Sequence, residues 1–246
     1  MYIDRRYRED INNELNTFEI QVKDTDLSVS LLPNQGIDID DLKERLFQFI
    51  FERRRELEEF ILTEPEFQTS LQPLMLQGTV PASALAMAQA ANRCGVGPMA
   101  AVAGAFSEMA WEFLKNLATE IIVENGGDIV SDSSRERLVE IFAGDSVFTG
   151  KIGINLPPGK RGICTSSGTV GPSLSFGKAD AVVVLAQSAP LADAAATAGG
   201  NRIQGPDDFE KTLLFLQSID GIDGVLLIKD DKMLAWGDLE IVPLNQ

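Results

Sequence analysis

The first part of the chain alternates apolar and polar residues and then changes to a helical period. Residues 17–33 alternate around the polar sequence KDTD, which predicts a β-hairpin. Residues 37–63 place apolar side chains three or four positions apart, which predicts a long amphipathic helix capped by Asp40 or Asp41. The predicted apolar stripe consists of Leu42, Leu46, Phe49, Ile50, Leu57 and Ile61.

Two more helices are predicted before the chain turns to strands. Residues 79–95 form a helical pattern that ends at Gly95, and residues 98–117 begin with Pro98, whose missing N–H suits a first helical turn. The start of this second helix, PMAAVAGA, is so rich in small residues that another backbone or a ligand can approach it closely. On the long helix, residues 53–55 are three arginines among acids, which we interpret as a solvated face.

The second half of the chain is richer in predicted strands. Residues 120–130 indicate a strand, a tight glycine turn and a second strand, and residues 131–142 indicate a short helix or an exposed excursion. Residues 151–156 and 162–167 are predicted strands joined across the turn PPGKR. Residues 179–187 are almost continuously apolar, which is typical of a central strand that is buried on both faces.

The remaining pattern predicts two helices and a hairpin. Residues 190–198 form an alanine-rich helix that the glycines at 199–200 are expected to stop. Residues 206–219 are an amphipathic helix with acids in its first turn, and residues 225–237 are a hairpin that turns at the aspartates 230–231. Strands mixed with helices, without a regular βαβ order, favour an α+β fold, either as a single domain of all 246 residues or as two modest lobes.

Composition limits the classes of function. With 44% hydrophobic and 24% charged residues, the chain is typical of a soluble globular protein, and no apolar run approaches the roughly 20 residues that a bilayer requires. The net charge of -16 argues against nucleic acid and anionic membranes as partners. Two cysteines without a secretory signal predict a cytoplasmic location, and base rates among oligomers make a homodimer plausible.

The absence of histidine narrows the chemistry further. It removes the commonest general base, the commonest zinc ligand and every nucleophile that histidine would activate. Cys94 and Cys164 match no zinc or redox spacing, and we interpret both as small apolar fillers. Cys94 nevertheless stands just before the helix predicted at Pro98, and a helix N-terminus favours thiolate.

Asp193 and Thr197 lie four positions apart on the alanine-rich helix and are therefore predicted to project from one face, near its start. A carboxylate and a hydroxyl suit a hard cation such as Mg²⁺, which keeps water or phosphate oxygens as its other ligands. In the structural alternative, Asp193 complements the helix dipole and Thr197 bonds a preceding carbonyl. The spacing alone leaves both interpretations open.

Two segments rich in glycine and serine are candidate anion sites. They are ENGGDI, with Gly126 and Gly127, and TSSGTVGPSLSFG, with Ser166 and Ser167. Successive backbone N–H groups in such turns bind anions, and the serines add hydroxyl donors. The alternative is that both segments are plain turns, because neither fits a Walker loop or a dinucleotide-binding fingerprint.

Four motifs follow one another in the second half of the chain: IIVENGGDI, KIGINLPPG, CTSSG and ADAVVVLAQSAPLADAAATA. This order resembles the C-terminal core of the ApbE-like superfamily, whose best-known members are magnesium-dependent FAD:protein FMN transferases, and the match is good over residues 95–200. The resemblance implies an ApbE-like fold of mixed sheets packed with helices, with Mg²⁺ on Asp193 and Thr197. It also implies a cleft for FAD or another nucleotide, lined by Gly126, Gly127, Asp128, Ser166, Ser167 and Gly168.

The chain also departs from these transferases. Their loop of His-Ile-Asp-Pro type after the Thr-Ser-Gly segment is missing, and residues 97–99, Gly-Pro-Met, replace the lysine-glycine start of their metal-site helix. Gly97 and Pro98 therefore join the predicted ligand-binding residues by position only. The shortened form resembles a separate ApbE-like family of anaerobic bacteria and archaea, some of whose members are associated with sulfide assimilation into homocysteine.

Three functions stay open on the sequence. The first is binding of a small phosphate-bearing ligand, such as a flavin or another nucleotide, with Mg²⁺ and without FMN transfer. The second, implied by the family association alone, is a role in sulfur assimilation in which Cys94 acts as a thiol. The third is an interaction protein that keeps the fold and has lost its ligand.

Overall fold

The computed structural model of the protein describes residues 15–169 and 176–244. The strands within these ranges are β1 (Asn16–Val22), β2 (Thr25–Pro33), β3 (Ala118–Asn125), β4 (Asp128–Ser133), β5 (Arg137–Glu140), β6 (Ile152–Leu156), β7 (Gly159–Ser166), β8 (Ala181–Ala186), β9 (Ile222–Lys229), β10 (Lys232–Gly237) and β11 (Glu240–Pro243). The helices are α1 (Ile39–Thr63), α2 (Glu66–Thr69), α3 (Ala82–Cys94), α4 (Val102–Leu114), α5 (Ala189–Gly200) and α6 (Phe209–Gln217), with 3₁₀ turns at Pro98–Ala101 and Pro206–Asp208. None of the helices in the described ranges has the length and apolar character needed to cross a bilayer.

An antiparallel sheet of eight strands organises the protein, in the order β1-β2-β3-β4-β7-β8-β9-β10. Every residue of β8 is buried. Its side chains alternate between a core shared with the helices, as at Val182, and a core shared with a second sheet of order β11-β6-β5, as at Val183. The predicted strand buried on both faces is therefore confirmed, and so is the α+β fold class.

Helix α5 lies against β7 and α4 at backbone contact. A Cβ atom at Gly104 of α4 would be 2.5 Å from the carbonyl oxygen of Ala189, and one at Gly162 of β7 would be 2.6 Å from the Ala189 nitrogen. Glycine is required at both positions, because a methyl group would overlap backbone atoms that cannot rotate away. The small residues of the second predicted helix do admit another backbone, and that backbone is the start of α5.

The end of α5 differs from the prediction. The helix continues through Gly199 and Gly200 and has Asn201 as its C-cap. These glycines serve packing rather than termination, because Leu216 lies 3.1 Å from the position of a Cβ at Gly199, and the Gly200 carbonyl lies against Gly177. Contacts with neighbouring elements thus override the local tendency of a glycine pair to end a helix.

The segment 131–142 contains strands and no helix. It completes β4 and then forms β5, which pairs with β6 in the smaller sheet. The strands predicted on either side of PPGKR are present as β6 and β7, but they belong to different sheets. A polar stretch this short carries too few periods to tell a helix from a strand.

Two expectations about α1 are corrected. Its N-cap is Asp38, whose side chain accepts the backbone N–H of Asp41, so neither Asp40 nor Asp41 is the cap. Arg54 does not lie on a solvated face: its side chain is 16% exposed and donates to the hydroxyl of Thr25 in β2. The period of the helix could not show this contact, because it depends on where the first hairpin packs.

A buried ion pair connects the start of β3 with the start of β5. The Glu120 carboxylate accepts from Nη2 of Arg137 at 2.9 Å, and also from Ser133 and from Ser134. Burial raises the pKa of Glu120, but these hydrogen bonds outweigh burial and lower the pKa to about 2. The pair links the two sheets, because β3 belongs to the larger and β5 to the smaller.

Glu120→Gln should lower the free energy of unfolding by about 2 kcal/mol at neutral pH, because it leaves a buried guanidinium without its carboxylate. The pKa of Glu120 is depressed, so the parent holds this stabilisation above about pH 4 and loses it as the pH falls toward 2. Urea unfolding followed by circular dichroism across the acid range measures both effects. Glu44→Gln, at an exposed acid, is the control, and equal stability of the two variants would contradict the assigned role.

Candidate functional site

Asp193 and Thr197 are the partly accessible side chains of α5, and the other ten residues of this helix are buried. They occupy its fifth and ninth positions and share a face, as predicted. The expectation that both lie near the helix start is wrong for Thr197, because α5 has twelve residues and Thr197 falls in its last turn. The α5 dipole therefore stabilises negative charge at this pair less than the sequence suggested.

The Asp193 carboxylate is held by α4. Its Oδ2 accepts the backbone N–H of Gly104 at 2.9 Å, a contact that the missing side chain of Gly104 makes possible. Burial raises the pKa of Asp193 well above its usual range, and the nearby Asp128 carboxylate raises it further. The N–H groups of Gly104 and Ala103 oppose this rise only in part. Without a cation, ionising both Asp128 and Asp193 is therefore unfavourable, because two negative charges would lie close together in a poorly solvated region.

The glycine turn predicted between β3 and β4 is present and tight. Gly126 and Gly127 have φ values of +69° and +107°, and Asn125 pairs with Asp128 across the turn. Two consecutive positive φ angles are typical of the hairpin turn that favours glycine. The N–H of Gly127 donates to the Glu124 carboxylate at 2.9 Å, so one of the amides expected to bind an anion is already occupied.

Asp128 lies at the start of β4 and is 8% exposed. Its Oδ1 is buried without a hydrogen-bond partner in the described structure. Burial raises the pKa of Asp128, a hydrogen bond from the Cys164 thiol lowers it, the Glu124 charge raises it and the Thr165 N–H lowers it, with a net value of about 7. A buried carboxyl oxygen without a protein partner is costly, which makes this oxygen available to a cation, a water or a hydrogen-bond donor of a ligand.

The segment Ser166–Gly168 follows β7 toward the far end of α5. Near the start of α5, Ala189 packs on Gly162 of β7. Near the end of α5, Gly200 packs on Gly177, which in turn packs on Gly168 just after β7. The helix and the strand therefore run in the same direction. Ser166 lies two positions after Cys164, whose thiol reaches the Ala189 carbonyl, so both side chains are on the α5 face of the sheet. Ser166 is therefore placed beside the Asp193 helix. Residues 170–175 of this motif lie outside the described ranges.

Ser167 and Gly168 also have structural roles. The hydroxyl of Ser167 accepts the N–H of Thr169 at 3.1 Å, and the N–H of Gly168 donates to the Ala179 carbonyl at 2.9 Å. A Cβ at Gly168 would be 2.2 Å from the carbonyl oxygen of Gly177. Glycine is thus required at position 168 for packing, and ligand contacts by these two residues stay a prediction.

Gly97 and Pro98 begin the 3₁₀ turn that leads into α4, and both are buried. A Cβ at Gly97 would be 1.8 Å from the carbonyl oxygen of Ser70, so this glycine admits the segment after α2. Packing accounts for both residues, and their contact with a ligand stays a prediction.

Cys94 is fully buried at the last position of α3. Burial raises the pKa of its thiol to about 12, and the charges of Arg93 and Arg202 offset this only in part. The expectation that the following helix favours a thiolate is therefore wrong for this cysteine, because the sulfur lies in the core. Its interpretation as an apolar filler agrees with this burial.

Glu108 is part of the site's support, and the sequence analysis missed it. Its carboxylate accepts the backbone N–H of Ala189, at 3.0 Å, and also pairs with Lys160 of β7. It takes the place of a local cap, because the side chain of Ser188 makes no capping hydrogen bond. Its partner is 81 residues away, so no local pattern could indicate the contact.

Among the described residues, no group of three or more histidine, cysteine, aspartate or glutamate side chains is arranged to hold a metal ion. A cation at α5 would therefore take two side-chain oxygens, from Asp193 and Thr197, and complete its shell with other oxygens. This donor set excludes a closed zinc site and fits Mg²⁺, which retains water and binds phosphate oxygens. The buried Oδ1 of Asp128, which has no hydrogen-bond partner among the described residues, is a further oxygen that such a cation or its water could use.

The sequence of the chain is similar to a family model and to UPF0280 proteins. The family model described as AbpE bacteria matches residues 8–212. The UPF0280 protein of Methanocaldococcus jannaschii is 43% identical over 200 residues, covering 78% of this chain and 81% of the relative. The UPF0280 protein of Methanococcus vannielii is 39% identical over 248 residues, covering 92% of this chain and 98% of the relative.

Solved structures share the fold at low sequence identity. The flavin transferase ApbE from Vibrio cholerae superposes with a TM-score of 0.55 at 15% identity, covering 91% of this chain and 97% of that chain. The flavinyl transferase ApbE from Pseudomonas stutzeri gives a TM-score of 0.53 at 14% identity, covering 91% and 94%. The chain therefore belongs to the ApbE-like family that includes the UPF0280 proteins.

Proposed function

We propose that the protein binds a flavin or another nucleotide through its phosphate groups, together with Mg²⁺ on Asp193 and Thr197, and that it does not transfer FMN. The observation that carries this proposal is that Asp193 and Thr197 are the two half-buried residues of a helix whose other ten residues are buried. Asp193 lies close enough to Asp128 for the Asp128 charge to raise its pKa, and Thr197 follows one turn later on the same face of α5.

The electrostatics of this space favour a cation. Burial raises the pKa values of both Asp128 and Asp193, and the Asp128 charge raises that of Asp193 further. A divalent ion would offset this repulsion and stabilise the ionised form of Asp193. A cation at this position would also favour the approach of a phosphate to a chain that carries a net charge of -16. When bound, Mg²⁺ supplies positive charge that neutralises phosphate oxygens.

The surroundings supply donors for the rest of a phosphate group. The open side of Gly127 leaves room for close approach, since nothing lies within 4 Å of a Cβ built there. Ser166 is a half-buried residue whose side chain lies on the α5 face of β7. Solved proteins of this fold are named flavin transferases, so a flavin nucleotide is the first ligand to test. The missing loop and the Gly-Pro-Met start of the 3₁₀ turn favour binding without transfer.

Asp193→Asn should weaken binding of FAD, FMN or ADP at least tenfold in the presence of Mg²⁺, because it removes the charged metal ligand and keeps the shape. Isothermal titration calorimetry with each nucleotide, with and without Mg²⁺, measures the effect. Asp207→Asn, at an exposed acid in a 3₁₀ turn, is the matched control and should bind as the parent does. The proposal fails if the parent binds none of the three nucleotides, or binds them equally well without the metal.

A further inference from the structure

Strand β10 forms one edge of the eight-stranded sheet and, among the described strands, pairs only with β9. Its sequence is KMLAWG, and every residue except the half-buried Leu234 is exposed. Met233 and Trp236 expose 45% and 36% of their surfaces, although both are large and apolar. An edge of this kind is a template for pairing with another strand.

The strand at the opposite edge of the sheet has a polar solvent face. β1 alternates buried apolar residues with exposed polar ones, so Thr17, Glu19 and Gln21 lie on that face. β10 has no such polar face, and it contains no acidic residue although the chain has 37 acids. Pairing of β10 with β10 therefore places no acidic side chain of the strand itself against a second copy that also carries a net charge of -16.

The hairpin register identifies the free backbone groups of β10. A two-residue turn joins it to β9, so the closing pair of Lys229 and Lys232 exchanges hydrogen bonds and the pairs alternate from there. The backbone groups of Lys232, Leu234 and Trp236 consequently point toward β9. Those of Met233 and Ala235 point outward, toward the position of an added strand.

A second copy of β10 fits this edge about a twofold axis through Leu234. Antiparallel pairing then places Met233 opposite Ala235 of the partner subunit, which satisfies the outward backbone groups of both copies. Lys232 faces the partner subunit's Trp236, and an ammonium beside an indole is a favourable cross-strand pair. The arrangement is self-complementary, as a twofold interface requires.

We propose that β10 is a dimerisation strand, which pairs antiparallel with β10 of a second copy with Leu234 on the twofold axis. The eight-stranded sheets of the two copies then join into one continuous sheet across the interface. This inference does not depend on any ligand bound at Asp193, because it uses only the register and exposure of β10.

A proline substitution separates pairing from folding. Ala235→Pro removes an outward N–H that β9 does not use, so the fold should persist while the mass found by light scattering falls from that of a dimer to the 26.7 kDa of one chain. Gln21→Pro removes the equivalent outward N–H on β1 and should leave the dimer intact. A parent that is monomeric at every concentration, or an Ala235→Pro variant that stays dimeric, would overturn the proposal.

Disulfide trapping tests the position of the axis. Leu234 would lie across from its own copy at a Cα separation of about 4.5 Å, which a disulfide can span. Oxidised Leu234→Cys should therefore run as a covalent dimer without reducing agent, whereas Trp236→Cys should not, since its copies would be about 13 Å apart. The two native cysteines are buried and give no background. Cross-linking of Trp236→Cys in place of Leu234→Cys would reject this register.

Discussion

The Asp128→Asn variant should be more stable than the parent above about pH 7 and should lose less stability between mildly acidic and mildly alkaline pH. This direction is unusual for a polar substitution at a buried position, since most such changes destabilise. It follows from a carboxyl group that the fold keeps protonated at the start of β4.

The raised pKa of Asp128 determines whether the free energy of unfolding rises or falls with pH. Asp128 has a pKa of about 7 in the folded protein, whereas an aspartate in an unfolded chain has one of about 3.9. Between these values the folded state holds a proton that the unfolded state has released, so the free energy of unfolding falls as the pH rises. The full loss is about 4 kcal/mol at most for a three-unit difference, and it levels off above the folded pKa.

Asparagine keeps the shape of the side chain and cannot ionise, so it removes this loss. Asp193 also has a raised pKa, so the pH dependence of the variant should shrink rather than vanish. If Mg²⁺ binds at Asp193, adding it should raise the stability of the parent at neutral pH more than at pH 5, since metal and proton compete for this carboxylate.

Urea unfolding without divalent ions, at several values from about pH 5 to about pH 8, measures the difference. Asp207→Asn should follow the parent, because this aspartate is exposed. Identical pH profiles for Asp128→Asn and the parent would show that Asp128 titrates in the folded protein as it does in the unfolded chain, and would contradict the prediction.

Features of the fold that depend on local sequence could be predicted. The hairpin around Lys23 and the hairpin around Asp230 each turn at a residue with positive φ, and β1 of the first hairpin has the alternating pattern that predicted it. The end of α3 at Gly95 follows from its left-handed conformation. In each case the residues that determine the turn or the helix end lie within a few positions of it, so the local sequence is sufficient to predict it.

Features that depend on tertiary contacts could not be predicted. Gly200 resembles a helix stop, but it lies inside α5 because Gly177 packs on its carbonyl. Arg54 resembles a surface residue, but the first hairpin covers it. Cys94 lies before a turn that could favour thiolate, but its sulfur is in the core. The sequence provides the residue types, and the packing decides what each one does.

The candidate site also combines features that the local sequence determines with features that tertiary contacts determine. The spacing of Asp193 and Thr197 predicted a shared face, and the structure confirms it. The groups that position this face are Gly104, Gly162 and Glu108, and none was identified as a site residue from its local pattern. The two glycines pack against the backbone of Ala189 at the start of α5, and the Glu108 carboxylate accepts the Ala189 N–H. Positioning of the site can therefore be tested without touching either proposed metal ligand.

Gly162→Ala should lower the free energy of unfolding by about 3 kcal/mol, which is large for the addition of one methyl group. The new Cβ would be 2.6 Å from the nitrogen and 2.7 Å from the Cα of Ala189, and neither backbone atom can move unless α5 moves with it. Glu108 and Gly104 also contact the start of α5, so the helix cannot shift to make room for the added methyl group without breaking these contacts.

Displacement of α5 also has a consequence at the site. Asp193 lies one turn after Ala189, so a shift away from β7 should lengthen the hydrogen bond from Gly104 and reduce any Mg²⁺-dependent nucleotide affinity. Urea unfolding and calorimetry on the same preparation distinguish the two effects. Gly205→Ala is the matched control, because nothing lies within 4 Å of a Cβ at that position, and it should cost less than about 1 kcal/mol. A Gly162→Ala variant as stable as this control would mean that α5 is not held at backbone contact and that the support inferred for Asp193 is absent.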